Sequence, residues 1–240
     1  MTDQLGKGDH GSVIAAEPNT HPVALRPWVP FLSPHRAPTC GSMSDDAQPK
    51  LFDPPAPAGP PGFVYRAEFV SEAEAEELAD RLAELPFEPF RFRGYEGRRR
   101  VHSFGWRYDF TGPGLVRAEP LPGWLTPLRD RAADLAGLPG EAFQHVLINE
   151  YRTGAPIGWH RDRPVFEKVV GVSLGGPTTM RFRRRRGERF ERLNIPLAHR
   201  SAYLLDGPAR SEWEHSLPEA QAHRYSITFR NLLADADQGR

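Results

Sequence analysis

The seven residues Arg224-Tyr225-Ser226-Ile227-Thr228-Phe229-Arg230 alternate strictly, and they constrain the fold more than any other stretch of the chain. In an extended strand, successive side chains point to opposite faces. Tyr225, Ile227 and Phe229 therefore share a face suited to an apolar core, and Arg224, Ser226, Thr228 and Arg230 share the other. If that second face is also covered, its two arginines need anionic partners, because an unpaired buried charge is costly. The bland alternative is two exposed arginines at the strand ends. The two lie about 20 Å apart along an extended strand, and long side chains bending together across that span can grip both ends of a short dicarboxylate. Arginine suits the task because its planar fork binds carboxylates through two parallel hydrogen bonds.

The segments upstream supply a second polar constellation. His145 to Tyr151 reads as a strand with Asn149 and Tyr151 on one face, ended by the turn signal Thr153-Gly154-Ala155-Pro156. Val169-Val170-Gly171-Val172-Ser173-Leu174 reads as a buried strand, rich in β-branched residues. Between them stands His160-Arg161-Asp162, whose outer two side chains share a face if the segment is extended; His215 follows alone. Two histidines and one carboxylate are the ligands of the facial triad that holds non-haem Fe(II) with coordination positions left open. Singly, each piece has an ordinary reading as a surface pair or a satisfied loop histidine. Their order, spacing and setting carry the argument.

Residues from about Gly62 to Leu232 resemble the AlkB family of Fe(II)- and 2-oxoglutarate-dependent dioxygenases, through Asn149-x-Tyr151, His160-x-Asp162, His215 and Arg224 to Arg230 in that order. The resemblance implies that His160, Asp162 and His215 ligate iron. It implies that Asn149, Tyr151, Arg224, Ser226 and Arg230 hold 2-oxoglutarate, with Arg224 on the distal carboxylate and Arg230 near the iron-chelating end. The implied fold is mainly β: a double-stranded β-helix, or jelly roll, with flanking N-terminal helices and a nucleotide-recognition lid. The implied chemistry uses Fe(II), 2-oxoglutarate and O2. Oxidative decarboxylation of the keto acid to succinate and carbon dioxide is coupled to hydroxylation of an N-methyl group, and the unstable hemiaminal so formed loses formaldehyde.

Arginine outnumbers lysine 28 to 3, so a run of arginines can reflect composition as well as function. One cluster is Arg91, Arg93, Arg98, Arg99, Arg100, His102 and Arg107, interleaved with Phe90, Phe92, Tyr95, Phe104, Trp106 and Tyr108. A second is Arg181, Arg183, Arg184, Arg185, Arg186, Arg189 and Arg192, partly offset by Glu188 and Glu191. Arginine for phosphates with aromatics for stacking is what a single-stranded or flipped-base site requires. By resemblance the first cluster is the substrate lid, and the second adjoins a substrate-contacting loop. Arg98, Arg99, Arg100, Phe104, Trp106, Tyr108, Arg161 and Arg185 are the residues expected to meet substrate. Arg163-Pro164 departs from some relatives of this family, which place acidic or polar residues after the His-x-Asp pair to face the base.

Formal net charge is zero, so overall charge does not announce a nucleic-acid partner. The single Cys40 excludes an intramolecular disulfide and fits a reducing compartment. No stretch reaches 18 consecutive apolar residues, and none has the pattern of a signal peptide, so a cytoplasmic monomer free of the membrane is expected. Residues 1–60 are rich in Pro, Gly, Ser and Thr and read as a disordered tail, with 61–233 as the dioxygenase domain and 234–240 as a short polar tail. Met43-Ser44-Asp45-Asp46 is a natural-looking start, which would leave residues 1–42 upstream of the functional protein.

Within the domain, Phe63 to Val70 is strand-like. Ser71 with Glu74 forms a capping-box pattern for a helix running through Ala73, Leu78, Leu82 and Leu85 and stopping before Pro86. A second helix is expected over Trp124 to Ala136, closed by Gly137. The favoured function is oxidative dealkylation of a modified base in DNA or RNA. The alternatives are the same chemistry on a tRNA modification or a protein side chain, a nucleic-acid-binding module with a vestigial metal site, and a zinc hydrolase, which leaves the arginine pair unexplained.

Overall fold

The computed structural model describes residues 58–92, 94–109 and 114–233. The expected tail with Cys40 and Met43, the residue Arg93 and the 234–240 tail lie outside the described residues. The core of the molecule is a seven-stranded antiparallel sheet in the order β1-β11-β8-β13-β6-β3-β2. Its strands are β1 (Phe63–Arg66), β11 (Ser201–Leu205), β8 (Phe166–Gly175), β13 (Arg224–Leu232), β6 (Phe143–Tyr151), β3 (Tyr95–Phe104) and β2 (Glu88–Phe92). A four-stranded antiparallel sheet has the order β10-β9-β12-β7, from Arg189–Leu197, Thr178–Arg186, Glu214–Leu217 and Ile157–His160. β4 (Trp106–Asp109) and β5 (Gly114–Arg117) form a separate hairpin. Two antiparallel sheets around a shared apolar layer give the mainly β, jelly-roll-like architecture expected.

β13 lies at the centre of the large sheet, between β8 and β6, and both its faces are buried. Its apolar face, with Tyr225, Ile227 and Phe229, meets Ile148, Val170 and Val172 from neighbouring strands, covered by Leu78 and Leu82 of α1 (Glu72–Ala83) and Leu128 and Ala132 of α2 (Thr126–Ala136). The other face looks into a layer where Tyr151, Val169, Tyr203 and Leu205 pack against Met180, Phe182, Ile195, Leu197 and Trp213. The site lies in this layer, a polar patch within an apolar sandwich.

Local signals set the start of α1 and the end of α2 as expected, whereas α1 stops at Ala83, short of Leu85, and α2 begins at Thr126 after a 3-10 turn. The Ser71 hydroxyl accepts from the Glu74 amide at the start of α1. Gly137 closes α2 with φ 66°, a left-handed conformation that glycine adopts without a Cβ penalty. The extended reading of Phe63 to Val70 is too long. β1 ends at Arg66, Glu68 takes φ 48°, and the Phe69 and Val70 amides turn to the carbonyl of Arg200 instead of continuing the ladder. Among the described residues, no helix is long and apolar enough to cross a membrane.

Candidate active site

Register brings the proposed ligands together. His215 on β12 is the cross-strand partner of His160 at the end of β7, and their ring centroids are 4.3 Å apart. Asp162 lies two residues beyond the end of β7, its Oδ2 3.7 Å from His215 Nε2. Arg230, at the far end of β13, reaches the other oxygen of Asp162, with Nε at 2.9 Å and Nη2 at 2.8 Å. Among the described residues no three His, Cys, Asp or Glu side chains already stand at coordination distance. Asp162 is turned onto Arg230 through one oxygen, and its other oxygen faces His215.

The protonation states favour a metal. Burial alone would raise the Asp162 carboxyl, but Arg230, then His215, His160 and Arg210, hold it well below the ordinary carboxylate range. Burial, with His160 beside it, lowers the His215 imidazole to about 3. Burial likewise lowers His160. The Nδ1 of His160 lies 2.9 Å from the carbonyl of Gly158, and a carbonyl can only accept, so the proton sits on Nδ1 and Nε2 keeps its lone pair. Two neutral imidazoles and an ionised carboxylate are the forms in which these groups bind a divalent cation.

The second constellation lines the same face of the large sheet. Arg224 pairs in register with Tyr151 of β6 and Gly175 of β8, Ser226 with Asn149 and Ser173, and Arg230 with His145 and Val169. Arg224 is 2% exposed, donates from Nε to Ser173 Oγ at 3.0 Å, and has its guanidinium 5.1 Å from the Tyr151 ring centroid. Its Nη1 is buried without a hydrogen-bond partner, as is Nη1 of Arg230. Unsatisfied guanidinium donors at both ends of one strand face are what a dicarboxylate would pair with. Both arginines are buried, which removes the reading of exposed strand ends.

The expected substrate residues separate by strand parity. Arg99 falls on the site face of β3: Nε donates to Asn149 Oδ1 at 3.2 Å, the guanidinium stacks 3.6 Å over Phe90, and its charge is felt at His160. Arg100 falls on the opposite face, bonded to Glu150 at 2.9 Å and to the carbonyl of Phe87 at 2.5 Å. Phe104, also on that face, is a core residue 4% exposed. Arg98 is exposed and touches Glu219 at 3.6 Å. Trp106 stacks on Arg117, and Tyr108 lies under Arg163 at 4.3 Å. Arg161 donates to the carbonyl of Ser211, and Arg185, exposed in the β9–β10 hairpin, donates to the carbonyl of Gly187. Arg99 is thus brought to the site, while Arg100 and Phe104 are turned into the fold.

With this geometry in view, the family assignment is direct. Residues 62–230 match the profile of the 2OG-Fe(II) oxygenase superfamily. The chain belongs to that superfamily and, within it, to the AlkB family, whose members use Fe(II), 2-oxoglutarate and O2. It is similar to human DNA oxidative demethylase ALKBH2, 35% identical over 144 residues, covering 54% of this chain and 53% of the human protein. It is also similar to uncharacterized protein L905 of Acanthamoeba polyphaga mimivirus, 30% identical over 191 residues, covering 72% of this chain and 86% of the viral one. The solved structure of OsALKBH1 superposes with a TM-score of 0.58 at 15% identity, covering 72% of this chain and 100% of that one, a likeness of fold. The chain spans about half the length of the demethylase relatives it matches.

Proposed function

We propose that this chain is an Fe(II)- and 2-oxoglutarate-dependent dioxygenase that removes alkyl groups oxidatively from bases of DNA or RNA. The observation that carries the reading is the juxtaposition of the His160, Asp162 and His215 cluster with buried, partly unsatisfied Arg224 and Arg230 on one face of β13, Arg230 touching Asp162. A vestigial site has no reason to keep two arginines buried at such cost, and a zinc hydrolase gives them no ligand. Bound there, ferrous iron with the keto acid supplies oxidation of a substrate C–H bond, coupled to release of succinate and carbon dioxide.

The protein's part is placement and exclusion. His160, Asp162 and His215 would hold the metal. Arg224, with Tyr151, would hold the distal carboxylate; Asn149, Ser226 and Arg230 would orient the remainder, Arg230 holding Asp162 as it does so. The apolar layer of Met180, Phe182 and Trp213 keeps water from the opposite side. Arg98, Arg99, Arg161 and Arg185 put positive charge near the cleft and on the hairpins, which suits a phosphate-bearing polymer. The names of the relatives, demethylases of DNA among them, support that choice over a protein side chain.

The test is to supply Fe(II), 2-oxoglutarate, oxygen and oligonucleotides carrying N1-methyladenine or N3-methylcytosine, then measure formaldehyde and succinate. Equal release of both supports the proposal. Succinate without formaldehyde from any methylated oligonucleotide would redirect the chemistry to another substrate.

A further inference from the structure

Among the phenols of the large sheet, Tyr203 has no part in the roles above and lies on the same face as Arg224 and Arg230. Tyr203 on β11 is 6% exposed and stacked on Phe63, with ring centroids 6.4 Å apart and planes at 13°. Its cross-strand partner on β8 is Gly171, whose partner on the far side is Thr228 of β13. A methyl group at Gly171 would fall 2.3 Å from Tyr203 Cζ and 2.4 Å from its hydroxyl oxygen. The tip of the phenol therefore lies over the bare backbone of Gly171 and points from β11 toward β13, into the row of the sheet between Ser226 and Arg230. Any side chain at Gly171 would push it out. Glycine within a central strand is otherwise unfavourable, and close approach of another group is a recognised reason for it.

Resting on the dioxygenase reading above, we propose that Tyr203 is a co-substrate-positioning residue. Its hydroxyl, seated over Gly171 between the two buried arginines, shares the distal carboxylate of the keto acid with Arg224 and limits the length of acid that fits. The electrostatics agree with this placement: burial raises the phenol above its ordinary value, against the opposing field of Arg224, so it remains a neutral donor at working pH. A phenol O–H is a good donor to a carboxylate paired with the Arg224 guanidinium. The same phenol occupies space that a longer acid would need. Tyr203 and Gly171 thus work as a pair, one filling the cleft and the other making room for it.

Binding of N-oxalylglycine, an unreactive analogue of 2-oxoglutarate, to Mn(II)-loaded protein tests this without turnover. Wild type should bind the analogue, and Tyr203→Phe should bind it about tenfold more weakly, the scale of one hydrogen bond to a charged group, with Mn(II) affinity unchanged. Gly171→Ala, which displaces the ring, should show a similar loss. Tyr203→Leu should narrow the preference for 2-oxoglutarate over 2-oxoadipate in competition. Equal analogue affinity in wild type and Tyr203→Phe would overturn the role of Tyr203 and leave the dioxygenase reading standing. Failure of wild type itself to bind the analogue would remove both.

Discussion

Arg230 and Asp162, 68 residues apart in the chain, meet at 2.8 Å with both side chains almost fully buried. This contact joins the two constellations: one partner belongs to the carboxylate-binding strand, the other to the proposed metal set. A charge-assisted pair of this kind tolerates loss of one member poorly, because the survivor is left buried and uncompensated. Asp162→Asn should therefore destabilise the metal-free protein by about 3–5 kcal/mol. Urea unfolding would measure it, and a change under about 1 kcal/mol would mean that water already screens the pair.

Acid should unfold the metal-free protein early. His215 is lowered to about 3 in the fold, and His160 and His145 are also lowered, each chiefly by burial. The unfolded chain takes up protons on these groups near their ordinary value of about 6.5, while the folded chain does not. Stability is then fully present above that value and falls as pH drops toward 3, by up to about 1.4 kcal/mol per pH unit for each histidine. Asp162, lowered within the fold, adds to the loss in the same direction below the ordinary carboxylate range. Urea midpoints from pH 8 to 4 check this, and His215→Asn should flatten the slope; an unchanged slope would remove His215 as a source.

Arg224→Ala should raise the concentration of 2-oxoglutarate needed for half-maximal turnover by about 30-fold or more, the scale of truncating one partner of a buried charge pair. Arg224→Lys should recover little, since an ammonium cannot reproduce the two-pronged contact. An unchanged requirement in both variants would move the keto acid elsewhere.

The arginine cluster on β3 should divide by function. Arg98→Ala should weaken oligonucleotide binding and reduce its salt dependence by about one phosphate contact. Arg100→Ala should leave binding nearly unchanged but destabilise the fold, because it strips Glu150 and the Phe87 carbonyl of a partner. Titrations at several salt concentrations, beside unfolding curves, separate the two. Equal salt slopes in both variants and wild type would return the cluster to a solvated face.

These contrasts show which parts of the site were legible in the sequence. The alternation from Arg224 to Arg230 made that strand and the make-up of its two faces legible, because a period of two is a local property; burial of the arginine face was left open and depends on the layer packed over it. The ligand types were legible too, but the pairing of His160 with His215 comes from register between β7 and β12, which no local pattern encodes. The consecutive arginines 98 to 100 looked alike; only the pairing of β3 with β6 decides that Arg99 meets Asn149 while Arg100 meets Glu150. Phe104 read as a lid aromatic and is core for the same reason of parity. Gly171 and Tyr203 were unremarkable as letters, since their meaning lies in a contact across two strands 32 residues apart.

In the proposed enzyme, His160, Asp162 and His215 gather one ferrous ion and the neighbouring arginines hold the keto acid beside it. The most direct measurement is the visible charge-transfer absorption of 2-oxoglutarate chelated to Fe(II), recorded anaerobically by titrating the acid into metal-loaded protein. Wild type should give a saturable band, lost in His160→Ala and His215→Ala, and reached only at much higher acid concentration in Arg224→Ala. A band that persists in both histidine variants, or none in wild type with iron bound, would contradict this assignment.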